Sequence, residues 1–148
     1  MATRTIDALH AERDSLKILD DIEGTDFQPL LADKLRPISL SAVRDNYEAT
    51  ASPDGLTWPP RKRVGDGHPL LIDTGKMLEA STGGVGSVTH YEPDGMVLGV
   101  DIDVVPYARA HNYGNPARNL PQREFLGLHD DAVEDAGEAV ADFVEALI

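Results

Sequence analysis

The sequence predicts an α+β fold in which a small antiparallel sheet is packed between N-terminal helices and a C-terminal helix. Near both ends of the chain, apolar residues recur every three or four positions, which is typical of amphipathic helices. Between them, two β-type runs flank the turn signal Pro93-Asp94-Gly95. With 148 residues, 41% hydrophobic content and no internal repeat, the chain can bury one core. We therefore expect a single domain over residues 1–148.

The N-terminal part, residues 1–51, is predicted to be helical. Apolar residues at helical spacing predict a first helix from Thr5 to Ile22, ended by Gly24. A second helix begins after Asp26, and Pro37 is expected to break or kink it before helix resumes and continues to about Ala51.

Residues 52–69 are predicted to form an extended loop, because they are rich in proline, glycine and charge. Pro53-Asp54-Gly55 predicts a tight turn within it. Trp58 either pins this loop to the core or meets a partner, and Arg61-Lys62-Arg63 forms the one local basic patch.

The last part, residues 70–148, is expected to contain the sheet. A short helix follows Asp73-Thr74, and "SVTHYEPDGMVLGVDI" predicts a β-hairpin. A further short helix begins at Pro106 and ends before Gly114, and "REFLGL" predicts another strand.

The final helix is predicted from about Asp131 to Leu147, with apolar residues on one face. Asp130 to Glu145 contains seven acids and no base, all away from the apolar face. We expect the acidic face to point towards salt water, a lumen or a basic partner.

The composition excludes several classes of site and partner. With no cysteine, the chain has no disulfide and no thiolate metal site. Its net charge of -13 argues against nucleic-acid binding, which requires a basic face. The apolar runs are too short to span a membrane, and the first residues do not have the layout of a signal peptide, so we expect a soluble intracellular or particle-packed protein.

The types of charged residue indicate a saline cytoplasm. The chain has 17 Asp against 9 Glu and 4 Lys against 9 Arg. Such an excess of short acids costs self-repulsion at low ionic strength, which salt screens. We therefore expect a halophilic source, with an ordinary acidic protein as the alternative.

The stretch "LLIDTG", ending at Gly75, resembles the catalytic triplet of an aspartic protease. Such a protease needs two carboxylates that share a proton, so a chain with one Asp-Thr-Gly would have to act as a homodimer. The residues that follow Gly75 favour helix, and the "VLG" at Val97 comes too soon to leave room for the intervening strands. We therefore expect Asp73 or Thr74 to cap a helix instead.

No metal or cofactor site is predicted. The five histidines have no close pair on a helix face, "DID" at Asp101 to Asp103 has no calcium loop after it, and "GGVG" lacks the lysine of a phosphate loop.

Four segments, in this order, carry a family resemblance: "PDGLTWPP", "HPLLIDTGKM", "VPYARAHNYG" and "LPQREFLGL", followed by the acidic helix. Together they resemble the phage virion morphogenesis family, the tail-completion proteins of tailed viruses, including the Mu-like group. The resemblance runs from about Asn46 to the C-terminus. The matching residues are Asp54, Gly55, Trp58, Leu71, Thr74, Gly75, Pro106, Tyr107, Ala108, His111, Gly114, Arg123, Phe125, Leu126 and Gly127.

The resemblance implies a non-enzymatic subunit of a ring, most simply sixfold, at the neck or upper tail of a virion. Its expected partners are a tail-tube or tail-terminator protein and the head-completion or portal-side proteins, with DNA passing through the lumen and no membrane contact. Assembly would take place in the host cytoplasm. The residues that we predict for interfaces are Trp58, Arg61, Lys62, Arg63, Tyr107, His111 and Arg123.

Some of these residues also have explanations within one chain. Trp58 can cover the core, Tyr107 and His111 can pack against their own domain, and Arg123 can pair with an acid. The alternative functions are a homodimeric aspartic protease using Asp73, a tail terminator, and a small host regulatory or binding protein.

Overall fold

The computed structural model describes residues 25–62, 67–93 and 95–147. The helix predicted from Thr5 to Ile22 lies outside these ranges, as do Arg63 and the turn residue Asp94. Within them, helices surround a two-stranded antiparallel sheet, so the predicted α+β class is confirmed.

The helical N-terminal part is continuous across Pro37. A π-helical segment, Pro29–Leu35, runs directly into α1, Arg36–Ala49. The predicted break at Pro37 is therefore wrong. Arg36 donates its N–H to the carbonyl of Leu31, five residues back and not four. The hydrogen bonds of the helix are therefore already shifted by one residue just before Pro37, which has no N–H to donate.

The remaining elements follow the predicted order. The hairpin is confirmed: β1 and β2 pair antiparallel, with Ser87 opposite Val100 and Glu92 opposite Gly95. The two short helices and the C-terminal helix are also present. The bounds are α2 Lys76–Ser81, β1 Ser87–Glu92, β2 Gly95–Val100, α3 Ala108–Tyr113, a 3-10 turn Pro116–Arg118 and α4 Asp130–Leu147.

Two apolar clusters form the core, and α1 contributes to both. The first lies between the π-helical segment, β2 and α4, and the second lies between α1, α2, α3 and the loop after α1. The buried members of the first are Leu30, Leu31, Leu35, Ala42, Met96, Leu128, Ala132, Ala136 and Val140. Those of the second are Val43, Tyr47, Trp58, Met77, Ala80, Val105, Ala108 and Phe125.

The segment Arg123–Leu128, predicted as a strand, is irregular and pairs with no strand in the described ranges. Its apolar residues are nevertheless buried, so its backbone groups need partners other than water. The side-chain oxygen of Asn112 accepts the N–H groups of Phe125 and Leu126, both at 3.1 Å. A side chain thus replaces the neighbouring strand that the apolar pattern led us to expect.

Two further side chains bind the carbonyl groups of the same segment. Nδ2 of Asn46, in α1, donates to the carbonyls of Phe125 at 3.0 Å and Gly127 at 3.1 Å. The indole N–H of Trp58 donates to the carbonyl of Glu124 at 2.9 Å. The segment is therefore attached to α1 and to the loop that follows it.

The last helix, α4, separates apolar and acidic residues cleanly. Ala132, Ala136 and Val140 face the first core cluster. The acids from Asp131 to Glu145 are exposed on the opposite side. The predicted acidic face is therefore present on the surface of this chain.

Replacing Asn46 by alanine is expected to lower the free energy of unfolding by about 3 kcal/mol, because it leaves two buried carbonyls without a donor. Glu48→Ala, on the exposed side of the same helix, is the matched control and should change it by less than about 0.5 kcal/mol. Chemical denaturation of both variants measures the difference. Equal stabilities would show that Asn46 does not hold the segment.

The thermal midpoint is expected to rise between dilute buffer and molar salt, because salt screens the repulsion among the acids of a chain with net charge -13. Relief of about 1 kcal/mol would raise it by about 3 °C. Differential scanning calorimetry at several salt concentrations measures the change. A midpoint independent of salt would contradict the expectation.

Candidate functional site

A cleft of about 610 Å³ opens beside the "LLIDTG" segment. Three stretches of the chain form its walls: the loop before α2 with the start of that helix, the residues from Val104 to His111, and Arg123. Its lining includes apolar residues, such as Leu71 and Met77, and positively charged side chains. The cleft adjoins the second core cluster, which contributes Met77 to its wall.

Four of the seven residues predicted for interfaces line this one cleft. They are Arg61, Tyr107, His111 and Arg123, which come from three distant parts of the sequence. Their common location was not predicted from the sequence. Lys76 and His68 also line the cleft and were missed, because no spacing relates them to the other four.

Arg123 lies at the base of the cleft and is only 6% exposed. Its Nε donates to the carbonyl of Pro59 at 2.8 Å, and its Nη2 donates to that of Pro60 at 3.0 Å. The alternative in which Arg123 pairs with an acid of its own chain is therefore wrong for the described residues. Neutral carbonyls orient the guanidinium, and no described acid balances its charge in an ion pair.

Arg61 is the second cation of the cleft. Its Nη2 group contacts Nδ1 of His68 at 2.8 Å and the carbonyl of Pro69 at 2.8 Å, as well as the carbonyl of His68. Burial lowers the pKa of Arg123, and the positive charge of Arg61 lowers it further. The guanidinium of Arg123 nevertheless remains charged at neutral pH, since an arginine is effectively always protonated in proteins.

Asp73 is the one acid among the residues that line the cleft, and it is exposed. Within the described ranges it forms no ion pair with Arg61, Lys76 or Arg123. The cleft therefore has an excess of positive charge in a chain whose net charge is -13. An anionic group from outside the chain would find unpaired cations there.

The side chain of His111 is partly buried against the ring of Tyr107, with the two rings edge to face and their centroids 6.3 Å apart. Its Nδ1 atom is buried and has no hydrogen-bond partner among the described residues. Burial lowers the pKa of His111, and the charge of Arg123 adds to this effect. The imidazole is therefore neutral at pH 7.

Trp58 is buried in the core, as expected if it pins the loop to its own domain. The indole is 2% exposed and packs edge to face on Tyr47, with ring centroids 5.7 Å apart. A direct contact between this indole and a neighbouring subunit would require the loop to leave its place. The interface role of Trp58 stays a prediction with that condition attached.

The other two residues of the basic patch do not line the cleft in the described part of the chain. Lys62 is exposed, and its ammonium group contacts the carbonyl of Asn119. Arg63 lies outside the described residues.

The turn at Asp73-Thr74 leads into α2, as predicted, but the N-cap position is Gly75 and no described side chain caps the helix. Oγ1 of Thr74 accepts the N–H of Lys76 only in a long contact of 3.4 Å, and Asp73 accepts no hydrogen bond from the described residues, so the cap expected at Asp73 is not found. Gly75, which lies between Thr74 and Lys76, has a φ of 84°, a conformation that favours glycine. No strand precedes this turn in the described residues, and the described lining of the cleft contains no second carboxylate to pair with Asp73.

The described part of the chain contains no group of three or more metal-type ligands. None of its helices is long and apolar enough to cross a membrane. A second groove, of about 690 Å³, lies between β2, α3 and Phe125. Asn112 lines this groove, and its buried Nδ2 finds no hydrogen-bond partner in the part of the chain that the structure describes.

His111→Gln is expected to make folding less sensitive to acid. Below the normal pKa of histidine, about 6.5, the unfolded chain binds a proton that the native imidazole resists, so the wild-type free energy of unfolding falls as pH decreases. The variant lacks this loss, so its free energy of unfolding should decline less steeply between pH 7 and pH 5. His90→Gln, which removes an exposed imidazole from β1, is the matched control. Equal slopes for wild type and His111→Gln, measured by denaturation, would contradict the prediction.

Comparison with protein families gives a match over residues 14–145 to the phage virion morphogenesis family. No curated protein and no solved structure gives a significant match. The matched range includes every residue that lines the cleft and almost all of α4. Because it covers most of the 148 residues, the chain belongs to the phage virion morphogenesis family.

Proposed function

We propose that this protein is a structural subunit that completes the tail of a tailed virus or joins the tail to the head, acting as a ring at the neck without catalysis. The observation that carries the proposal is the family match over residues 14–145, which gives the chain a role in phage virion morphogenesis. The order of the segments around Trp58, Gly75, His111 and Arg123 supports the tail-completion role and the Mu-like group.

The distribution of surface charge supports assembly into a ring. The chain carries an unbalanced basic cleft at one place and an acidic helix face at another. Contacts between two different surfaces of identical subunits are heterologous, and such contacts generate closed rings when the rotation permits. A sixfold ring would match the symmetry expected of a tail tube.

The expected neighbours of the ring are a tail-tube or tail-terminator protein on one side and head-completion or portal-side proteins on the other. DNA passing through the lumen would meet acidic surfaces and would not adhere, because like charges repel. Sequence-specific DNA binding is not part of the proposal. Assembly would take place in the host cytoplasm, and the acidic composition supports a halophilic host.

Two alternative functions make distinct predictions. A tail terminator would control tail length, so its loss would give overlong tails. A homodimeric protease would need Asp73 from each of two copies, and Asp73→Asn would abolish its activity on a peptide substrate at acid pH. The exposed position of Asp73 and the absence of a second carboxylate from the cleft give the protease less support.

Deleting the gene from its virus is expected to give filled heads and separate tails of normal length, because the joining step fails and tube growth does not. Electron microscopy of the lysate measures both features. Supplying the gene in trans should restore joined particles, and Asp73→Asn should restore them equally well.

Joined, infectious particles from the deletion strain would contradict the proposed function. The mass of the purified chain, measured by light scattering in molar salt alone and with a tail-tube protein, gives an independent test. A species of about six subunits of 16.0 kDa supports the ring. A strict dimer under both conditions would favour the protease.

A further inference from the structure

The cleft contains positive charge that no acid among the described residues neutralises through an ion pair. Arg61, Lys76 and Arg123 line it, and no carboxylate among the described residues forms an ion pair with any of them. Arg123 as a whole is 6% exposed, and its guanidinium bonds to Pro59 and Pro60 are partly buried. Burying charge without a partner is costly, and this arrangement is therefore more favourable when an anionic group enters the cleft.

The size of the cleft indicates the kind of group that enters. A volume of about 610 Å³ greatly exceeds that of one carboxylate and accommodates several side chains. Apolar residues such as Leu71 and Met77 share its lining with the cations. An acidic protein surface fills such a volume better than a lone ion does.

The acidic face of α4 offers the complementary surface. Acids recur there at spacings of three and four residues, so they lie along one side of the helix. They are Asp131, Asp135, Glu138, Asp142 and Glu145, all exposed and none in an ion pair in the described part of the chain. The helix spans about 27 Å, long enough to present two or three of these acids to one cleft.

The two surfaces belong to different regions of the fold. The helix α4 packs on the first core cluster, whereas the walls of the cleft adjoin the second. We propose that the cleft around Arg61, Lys76 and Arg123 receives the acidic face of α4 from a neighbouring copy of this chain. Copies then pack head to tail, each offering its cleft to one neighbour and its helix to the other.

This inference rests on the proposed function, since it names the contact that builds the proposed ring. Charge complementarity also sets the orientation of the copies, because a cleft facing a cleft, or a helix facing a helix, brings like charges together. Asp73 also lines the cleft, and its negative charge disfavours any placement of the neighbouring copy's α4 that brings an acid beside it.

Two charge reversals test the contact from its two sides. Lys76→Glu changes the cleft at an exposed side chain that makes no hydrogen bond, and Glu138→Lys with Asp142→Lys changes the helix. Each should weaken self-association by roughly tenfold or more, as measured by sedimentation in molar salt. Lys34→Glu and Glu48→Lys are the matched controls, because each reverses the charge of an exposed side chain outside the two surfaces. Both should leave self-association unchanged.

Mixing the two defective variants gives the decisive result. In an alternating ring, the acid introduced at position 76 faces the lysines introduced on the helix of the other variant, and the native cleft faces the native helix, so the mixture should assemble more strongly than either variant alone. A chain carrying both reversals should also assemble. Variants that assemble like wild type, or folded variants whose mixture stays monomeric, would overturn the inference.

The assembled particle provides a second readout. The chain has no native cysteine, so Lys76→Cys combined with Glu138→Cys should give a disulfide-linked ladder of subunits within tails under oxidising conditions. Copies present in tails that give no ladder would overturn the inference. A second result would also overturn it: duplex DNA that binds the wild-type protein but not Lys76→Glu, with assembly unchanged in the variant. The cleft would then be a binding site for phosphate.

The tests separate this contact from the proposed function. If the deletion strain lacks joined particles and the charge reversals have no effect, the subunit has its proposed role and uses another interface. If the deletion strain is fully infectious, the proposed function fails whatever the cleft binds.

Discussion

The fold depends on how the buried backbone of Arg123–Leu128 is satisfied. Asn112 accepts two N–H groups of this segment, Asn46 donates to two carbonyls, and Trp58 donates to a third. These side chains come from α3, α1 and the loop after α1, so one segment connects three parts of the molecule. A buried peptide group without a partner costs about as much as a lost hydrogen bond, and the five bonds therefore act together to hold the segment in one place.

The same bonds determine where the cleft is. Arg123 begins the segment, and its guanidinium reaches the carbonyls of Pro59 and Pro60. Trp58, immediately before those prolines, is held in the core by Tyr47 and by its bond to the segment. The loop is therefore attached on both sides of Pro59, which brings Arg61 to the same cleft as Arg123. The basic site is thus a consequence of the core and not an addition to the surface.

The local pattern of the sequence predicts most of the regular elements in the described residues but not this arrangement. Apolar spacing predicts α1 and α4, and the β-type runs around Pro93 predict the hairpin, because each depends on neighbours in the chain. "REFLGL" has the apolar character of a strand, yet its partners are side chains far away in sequence. Nothing in the pattern marks Asn46 or Asn112 as the residues that replace a strand. For the same reason, four predicted interface residues were identified one at a time, while their common cleft was not.

The proposed contact between the cleft and the acidic helix would allow a chain of net charge -13 to associate with itself. Long-range repulsion between copies opposes association, and molar salt reduces it because the Debye length falls to about 3 Å. Charges at close contact in a partly dry cleft are screened much less, so the proposed pairs between the cleft and α4 would persist at salt concentrations that remove the repulsion. In the proposed arrangement, high salt would therefore favour both folding and assembly, although the contact itself is electrostatic.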